Sequence, residues 1–217
     1  MYKVISVDQE KEHIPGYNPK EASNVHRLSA KNADQKLIKS LKDLKNKNII
    51  LMCGGSASGK TEFIDEYCLS NEISDLEGII FDSTLWSING ARIKIRNIKR
   101  FGNKPIINFI LPYDVKRCFY IFNERERKIP QDRFYETHSG AREVILWIAK
   151  NYPEIEIAVF YSYSFGEIEE KPLLLDRNTL ELGGFEEILF DDRDEMIEFF
   201  QSKQLSVKDI KNIISEF

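Results

Sequence analysis

Cysteine and histidine are scarce in this chain of 217 residues, with three of each. The cysteines, Cys53, Cys68 and Cys118, lie far apart, and none forms a Cys-x-x-Cys pair or stands at metal-ligand spacing from a histidine. This distribution argues against a disulfide framework and against a zinc site. We expect reduced thiols, buried or half-buried, as in a cytosolic protein.

Long apolar runs and a strong charge of either sign are also missing. No segment approaches the ~20 apolar residues that a membrane-spanning helix requires, and residues 1–8 lack the apolar stretch of a signal peptide. The formal net charge of -4 is too small to indicate a polyanionic partner. The sequence therefore predicts a cytoplasmic globular protein with no membrane association.

What is present is an alternation of strand-like and helix-like patterns. Short, continuous apolar runs predict buried strands at Ile49–Cys53, Gly78–Asp82, Pro105–Leu111 and Glu156–Tyr161. Helical periodicity and capping signals predict helices at Ser29–Leu44, Thr61–Leu69, Ala91–Phe101, Asp114–Asn123, Thr137–Asn151, Asp194–Gln201 and Ser206–Phe217. A further strand is indicated at Glu187–Phe190, whereas the first 25 or so residues look irregular. The alternation predicts an α/β fold with a mostly parallel sheet covered by helices on both faces.

We expect one domain with three parts. Residues 1–47 are predicted to form an N-terminal extension with a helix that packs on the core. Residues 48–165 form the core itself, with a lid at about residues 124–137, and residues 166–217 form an acidic addition to the same domain. The length is natural for one compact α/β domain with a few additions.

A glycine-rich loop follows the first predicted buried strand and opens a predicted helix. Its spacing, Gly-x-x-x-x-Gly-Lys-Thr, is that of a phosphate-binding loop when it stands between a strand and a helix. The glycines let backbone N–H groups converge on phosphates, the lysine reaches the β- and γ-phosphates of ATP, and the threonine hydroxyl binds Mg²⁺. The alternative is an ordinary turn. We predict a P-loop NTPase fold of the kinase kind, with the nucleotide held by Gly55, Ser56, Ala57, Ser58, Gly59, Lys60 and Thr61.

Asp82 ends the second predicted strand. Its carboxylate therefore lies at the carboxyl edge of the sheet, where ligands of open α/β sheets bind. Two functional roles compete, because Asp82 either binds Mg²⁺ or accepts the proton of a substrate hydroxyl. A third interpretation is that Asp82 caps the turn into the next helix. The similar run Ile188–Asp192 lies in the acidic tail, and we interpret it as a chance match.

Basic residues gather in three further places. The charged, proline-broken run Arg125–Arg133 is either a lid whose arginines neutralise a transferred phosphate or a solvated loop. His138 and Arg142 share a helix face, where they either contact phosphate or substrate or form an interfacial hydrogen-bonding group. The third place is the predicted helix that carries Arg92, Arg96, Lys99 and Arg100. Because it lacks interleaved aromatic residues, we expect it to be a solvated outer face and not a groove for nucleic acid.

Taken in order, these motifs resemble those of zeta-toxin-family P-loop kinases over roughly residues 48–162. The resemblance lies in GGSASGKT, the element Asp82–Leu85, the strand Ile106–Leu111 and the arginine segment Arg125–Pro130. It implies transfer of the ATP γ-phosphate to a hydroxyl of a small, nucleotide-linked molecule such as a UDP-sugar. An antitoxin-like protein is the partner that it suggests.

The resemblance also implies roles for individual residues. Lys60 and Thr61 would serve ATP and Mg²⁺, and Arg125 and Arg127 would clamp phosphates. Asp82 and Thr84 would lie near the acceptor. The predicted catalytic residues are thus Lys60, Asp82, Arg125 and Arg127, and the predicted metal ligands are Thr61 and Asp82.

The chain departs from the family between the loop and Asp82. Only about twenty residues separate Thr61 from Asp82, so the family's segment with the general-base aspartate and much of the sugar pocket is shortened or absent. Either Asp82 has taken over the base role or the acceptor differs. Ser83 replaces the family's usual glycine. The segment His13–Pro19 has no family counterpart, and one interpretation is that it covers the active site.

Two other functions stay open. A nucleotide or polynucleotide-end kinase is favoured by the basic segment from Arg92, although the negative net charge makes nucleic acid the less favoured partner. A non-catalytic nucleotide-binding module or GTPase switch is disfavoured, because no Asn-Lys-x-Asp element follows the loop.

Overall fold

The computed structural model of the chain describes residues 2–69, 78–164 and 182–216. Its strands are β1 Tyr2–Ser6, β2 Asn48–Cys53, β3 Gly78–Asp82, β4 Lys104–Pro112, β5 Glu156–Ser164 and β6 Leu182–Ile188. They form one sheet in the order β1-β3-β2-β4-β5-β6. The first five strands are mutually parallel, and β6 runs antiparallel to β5. The predicted α/β fold with a mostly parallel sheet is confirmed.

Helices connect these strands and flank the sheet. They are α1 Gln9–Glu12, α2 Ala22–Asp43, α3 Lys60–Phe63, α4 Ile88–Arg100, α5 Val115–Glu124, α6 Gln131–Asn151, α7 Arg193–Ser202 and α8 Val207–Ser215. Helix α3 continues as π-helical turns over Ile64–Leu69, and a short 3₁₀ turn spans Pro19–Glu21. Parallel strands need such crossovers, which bury both faces of the sheet.

Two apolar layers cover the two faces of the sheet. On one face α2, α4, α6 and α7 pack against alternate strand residues such as Leu51, Phe81 and Phe109. On the other face α3 and the following turns pack against the intervening residues, among them Met52 and Ile80. Because successive strand side chains point to opposite faces, continuous apolar strands of this kind are buried on both sides.

The N-terminal segment differs most from the sequence prediction. The first 25 residues are not irregular, because Tyr2–Ser6 forms β1 at the edge of the sheet and pairs in parallel with β3. Helix α2 begins at Ala22 and not at Ser29. A five-residue edge strand that contains a lysine has too weak a sequence pattern to predict a strand, and its pairing with β3 decides its conformation.

Two later boundaries also need correction. Helix α6 begins after Pro130, so Thr137 lies inside it and is not its cap. The last strand is Leu182–Ile188 and not Glu187–Phe190. The other predicted elements are present with ends shifted by a few residues, as is usual when caps decide the boundary.

Candidate functional site

The glycine-rich loop lies between β2 and α3, at the carboxyl edge of the sheet. Two of its glycines leave no room for a side chain: a Cβ on Gly54 would lie 2.6 Å from the Ile110 carbonyl oxygen, and one on Gly55 would lie 2.3 Å from the His138 ring. Gly59 adopts φ 91°, which favours glycine. The loop curls tightly for these reasons, with its N–H groups near the start of a helix.

Lys60 folds its ammonium group back into the loop. The Nζ atom lies 3.1 Å from the Gly54 carbonyl oxygen, 2.7 Å from that of Gly55 and 3.3 Å from Ser58 Oγ. Burial lowers the pKa of Lys60, and the nearby Asp82 carboxylate opposes that effect. The lysine thus places a buried cation within the glycine-rich loop, bonded to oxygens of the loop itself.

Asp82 is buried at the carboxyl end of β3. Its Oδ2 atom accepts a hydrogen bond of 2.9 Å from the Ser6 hydroxyl at the end of β1. Burial raises the pKa of Asp82, against the effects of Lys60 and of the serine bond. The predicted capping role belongs to another residue, because the side chain of Ser87 caps α4 by accepting from the Gly90 N–H.

A second carboxylate, Asp8, follows β1 at the same edge. Its Oδ1 lies 2.8 Å from Lys11 Nζ, and its Oδ2 lies 2.7 Å from Arg127 Nη1. Burial alone would raise the pKa of Asp8, but the Arg127 and Lys11 cations hold it below the ordinary value. Sequence analysis missed this residue, since it lies in the segment predicted to be irregular.

The arginine segment between α5 and α6 reaches the same site. Arg125 and Arg127 are half-buried, and both line the cavity in front of the loop. Burial lowers the pKa of Arg125, and the Arg127 charge adds to that effect. These two arginines are therefore not fully solvated, and the lid role predicted for them stays a prediction.

These side chains surround one cavity of about 870 Å³. Within the described residues its lining includes all the predicted catalytic, metal and substrate side chains, namely Lys60, Thr61, Asp82, Thr84, Arg125 and Arg127. The volume is near the upper end for small-molecule sites, so two ligands have room there. The lining also includes residues before and after His13–Pro19, such as Lys11 and Ser23, but no residue of that segment, so the interpretation that it covers the site gains no support.

The turn after β3 completes the cavity on its other side. The Thr84 carbonyl accepts from the Gly54 N–H at 3.3 Å, which ties this turn to the start of the loop. Ser83 lines the cavity, and among the described residues its buried hydroxyl oxygen finds no hydrogen-bond partner. An unpaired buried hydroxyl beside a cavity can bond a ligand that enters it.

Two residues of α6 support the loop from below. Thr137 Oγ accepts from the Ser56 N–H at 3.1 Å, and His138 Nε2 donates to the Ser56 carbonyl at 2.8 Å. Burial lowers the pKa of His138 to about 3, so its ring is neutral at pH 7. Arg142 donates to the His138 carbonyl. His138 and Arg142 therefore form an interfacial hydrogen-bonding group, and neither belongs to the cavity lining.

The remaining charged motifs lie away from the cavity. Arg92, Arg96 and Arg100 of α4 are exposed, as predicted for a solvated face. Asp192 of the acidic run caps α7 by accepting from the N–H groups of Asp194 and Glu195, which explains its place in the tail.

Several predictions concern features that are expected to be missing. Cys53 and Cys118 are free, buried thiols whose pKa burial raises to about 12, while the side chain of Cys68 lies outside the described residues. In the described part of the chain, no three His, Cys, Asp or Glu side chains are grouped to hold a metal, and no helix is long and apolar enough to cross a bilayer. Both predicted Mg²⁺ ligands, Thr61 and Asp82, line the cavity.

Comparison of the chain with protein-family models and with curated proteins gives no match. The resemblance to zeta-toxin kinases thus depends on its motifs and on their order along the chain.

Proposed function

We propose that the protein is an ATP-dependent phosphotransferase that moves the γ-phosphate to a hydroxyl of a small, nucleotide-linked molecule such as a UDP-sugar. One observation carries this proposal. A P-loop sequence with Lys60 turned into it opens on the same cavity as a buried carboxylate, Asp82, and two arginines, Arg125 and Arg127. Phosphate-binding groups, a candidate base and arginine side chains in one cavity are the parts that phosphoryl transfer requires.

The loop would bind the phosphates of ATP. Its backbone N–H groups stand at the start of α3, and Lys60 supplies a positive charge beside them. Glycine at positions 54 and 55 lets the loop backbone pack directly against the Ile110 carbonyl and the His138 ring. Thr61 and Asp82 would hold Mg²⁺, which neutralises charge on the β- and γ-phosphates when it is bound.

Asp82 has two roles that experiment can separate. As a base it takes the proton of the acceptor hydroxyl while that oxygen attacks the γ-phosphorus, and the bond from phosphorus to the bridging oxygen of ADP breaks. The raised pKa of Asp82 suits proton acceptance near neutral pH better than that of an ordinary aspartate. As a metal ligand it would leave the proton to another acceptor.

The arginines would stabilise the charge that spreads over the transferred group. Arg125 and Arg127 come from a connector between two helices, as lid arginines of kinases do. Guanidinium groups hydrogen-bond phosphate oxygens in a fixed geometry, which an ammonium group cannot do.

The test is to find the acceptor. Protein is incubated with γ-labelled ATP, Mg²⁺ and the low-molecular-weight fraction of a cell extract, and new phosphorylated compounds are identified by mass spectrometry. We expect one phosphomonoester with the wild-type protein and none with Lys60→Ala. The matched control is Lys104→Ala, at the amino edge of the sheet, which should behave as the wild type.

Two further arms of the experiment address the alternatives. Labelled oligonucleotides at two salt concentrations test a polynucleotide-end kinase, for which tight, salt-dependent binding with end phosphorylation would replace the small-molecule proposal. Nucleotide binding without transfer or hydrolysis would favour a non-catalytic module. An antitoxin-like partner stays part of the proposal, and suppression of the transfer by such a protein would support it.

A further inference from the structure

The N-terminal segment and the arginine connector are joined at two points. Arg127 Nη1 forms an ion pair of 2.7 Å with Asp8 Oδ2. The next residue, Lys128, donates its backbone N–H to the Pro19 carbonyl at 3.0 Å. These contacts link residues that are more than 100 positions apart in the sequence, so they fix the connector relative to β1 and not merely relative to its own helices.

Asp8 is itself held in place by Lys11. The Lys11 side chain is only 1% exposed, and its ammonium lies 2.8 Å from the other carboxylate oxygen, Oδ1. Burial lowers the pKa of Lys11, and Asp8 opposes that effect, so the buried cation depends on this carboxylate. One oxygen of Asp8 is thus fixed by the N-terminal segment, and the other is directed to the arginine.

This geometry argues against a second base. Both oxygens of Asp8 face cations, which stabilise its ionised form and make it a poor proton acceptor. By contrast, the bond to Ser6 engages only one oxygen of Asp82, whose pKa burial raises. Asp8 and Asp82 therefore have different environments, and of these two carboxylates Asp82 is the one better suited to accept a proton.

We infer that Asp8 is a positioning residue that holds the guanidinium of Arg127 at the phosphate end of the cavity. This role rests on the proposed phosphotransferase function. An arginine on a connector loses freedom when it binds a transition state, and a carboxylate that fixes it beforehand reduces that loss. Asp8 engages one end of the guanidinium, and no group in the described part of the chain accepts a hydrogen bond from the buried Nε of Arg127. Donors thus remain for a phosphate group.

The inference makes β1 and α1 part of the catalytic machinery. Ser6 bonds the candidate base and Asp8 bonds the candidate lid arginine, so two residues at the end of one edge strand support both. Removal of the N-terminal segment would then affect turnover even if the loop and β3 stayed intact.

The experiment is a double-mutant cycle on Asp8 and Arg127. Asp8→Asn keeps the shape and removes the charge, and we expect kcat to fall by about tenfold or more with a change of less than about threefold in the KM for ATP. Arg127→Ala should lower kcat at least as much. The two changes together should lower it no further than Arg127→Ala alone, because Asp8 acts through the arginine. Asp8→Glu, which keeps the charge, should recover part of the rate.

Two companions separate this role from a purely structural one. Asp8→Asn with Lys11→Met removes both charges of this ion pair and leaves no unpaired ammonium group buried at Lys11, so it should fold normally and still show the low kcat of Asp8→Asn. Glu156→Gln breaks an ion pair of 3.1 Å with Lys104 at the opposite edge of the sheet and should leave kcat unchanged.

The outcomes discriminate between the two proposals. Two results would overturn the positioning role while leaving the phosphotransferase intact. One is a wild-type kcat in Asp8→Asn, and the other is a fold-loss of kcat in the double variant equal to the product of the two single fold-losses. A wild-type protein that transfers no phosphate to any acceptor would contradict the proposed function, and the positioning role with it. Low kcat in both single variants with no further fall in the double variant supports both.

Discussion

Replacement of Gly55 by alanine is the sharpest test of how the loop is built. Its backbone φ lies outside the left-handed region, so an alanine there meets no conformational strain. The obstacle is space, because the new Cβ would lie 2.3–2.4 Å from three atoms of the His138 ring. The ring cannot easily withdraw, since it is fully buried, is bonded to the Ser56 carbonyl at 2.8 Å and packs on Phe134 with 4.3 Å between ring centroids.

The magnitude follows from that geometry. Ordinary van der Waals contacts of a Cβ begin near 3.4 Å, so loop and ring must separate by about 1 Å. Overpacking of this kind costs ~1–3 kcal/mol, and loss of the bond between His138 and Ser56 adds ~1 kcal/mol. We therefore expect Gly55→Ala to lower the free energy of unfolding by about 2–4 kcal/mol and to abolish nucleotide binding, because the loop N–H groups no longer converge.

Urea denaturation and ATP titration measure the two effects. Gly90→Ala is the stability control, since its Cβ would meet nothing closer than 3.7 Å and alanine favours a helix. In the Gly55→Ala, His138→Ala double variant the clash is gone, so its destabilisation should be smaller than the sum of the two single values. Wild-type stability and nucleotide affinity in Gly55→Ala would refute the account of the loop.

Three further predictions concern the site. Asp82→Asn should abolish turnover with little change in ATP affinity if Asp82 is the base, and it should also raise the Mg²⁺ requirement if Asp82 binds the metal. Burial raises the pKa of Asp82, so a pH–rate profile of the wild type should show activity falling with acid at a pH above the ordinary aspartate value of 3.8. Arg125→Ala should lower kcat more than ATP affinity, whereas equal and negligible effects would mean that the segment is only solvated. His138 has a folded pKa of about 3, so its unfolded form binds the extra proton between pH 6.5 and 3, and stability should fall as the pH drops through that range. In His138→Gln the melting temperature, measured by thermal denaturation, should fall less steeply as the pH drops through the same range.

The glycine loop and its strand could be predicted from sequence because every level of the pattern agrees there. A continuous apolar run marks β2, the spacing of glycines and lysine marks the loop, and Asp82 ends a second run of the same kind. Local signals of this strength fix the elements, and parallel pairing then brings their carboxyl ends together.

The contribution of the N-terminal segment could not be predicted in this way. The strand β1 has five residues and lies at an edge, so its conformation depends on pairing with β3. Asp8 meets Arg127 only through that pairing, and spacing along the chain gives no sign of a contact across more than 100 residues.

The contacts between α6 and the glycine-rich loop could be predicted only in part from the sequence. Sequence analysis placed His138 on a helix and allowed it an interfacial role, but its contact with Gly55 depends on how α6 crosses beneath the loop. The contact with His138, and not the backbone angle, explains why residue 55 is a glycine. The spacing of the motif alone cannot distinguish between these two reasons.

The central claim is that the γ-phosphate of ATP is transferred to an acceptor hydroxyl in this cavity, and its fate can be followed directly. Phosphorus-31 NMR of a reaction with ATP, Mg²⁺ and the acceptor fraction measures ADP, inorganic phosphate and phosphomonoester together. The account predicts ADP and a new phosphomonoester in equal amounts with the wild-type protein, and neither with Lys60→Ala. Unchanged ATP, or ADP matched only by inorganic phosphate, would contradict it.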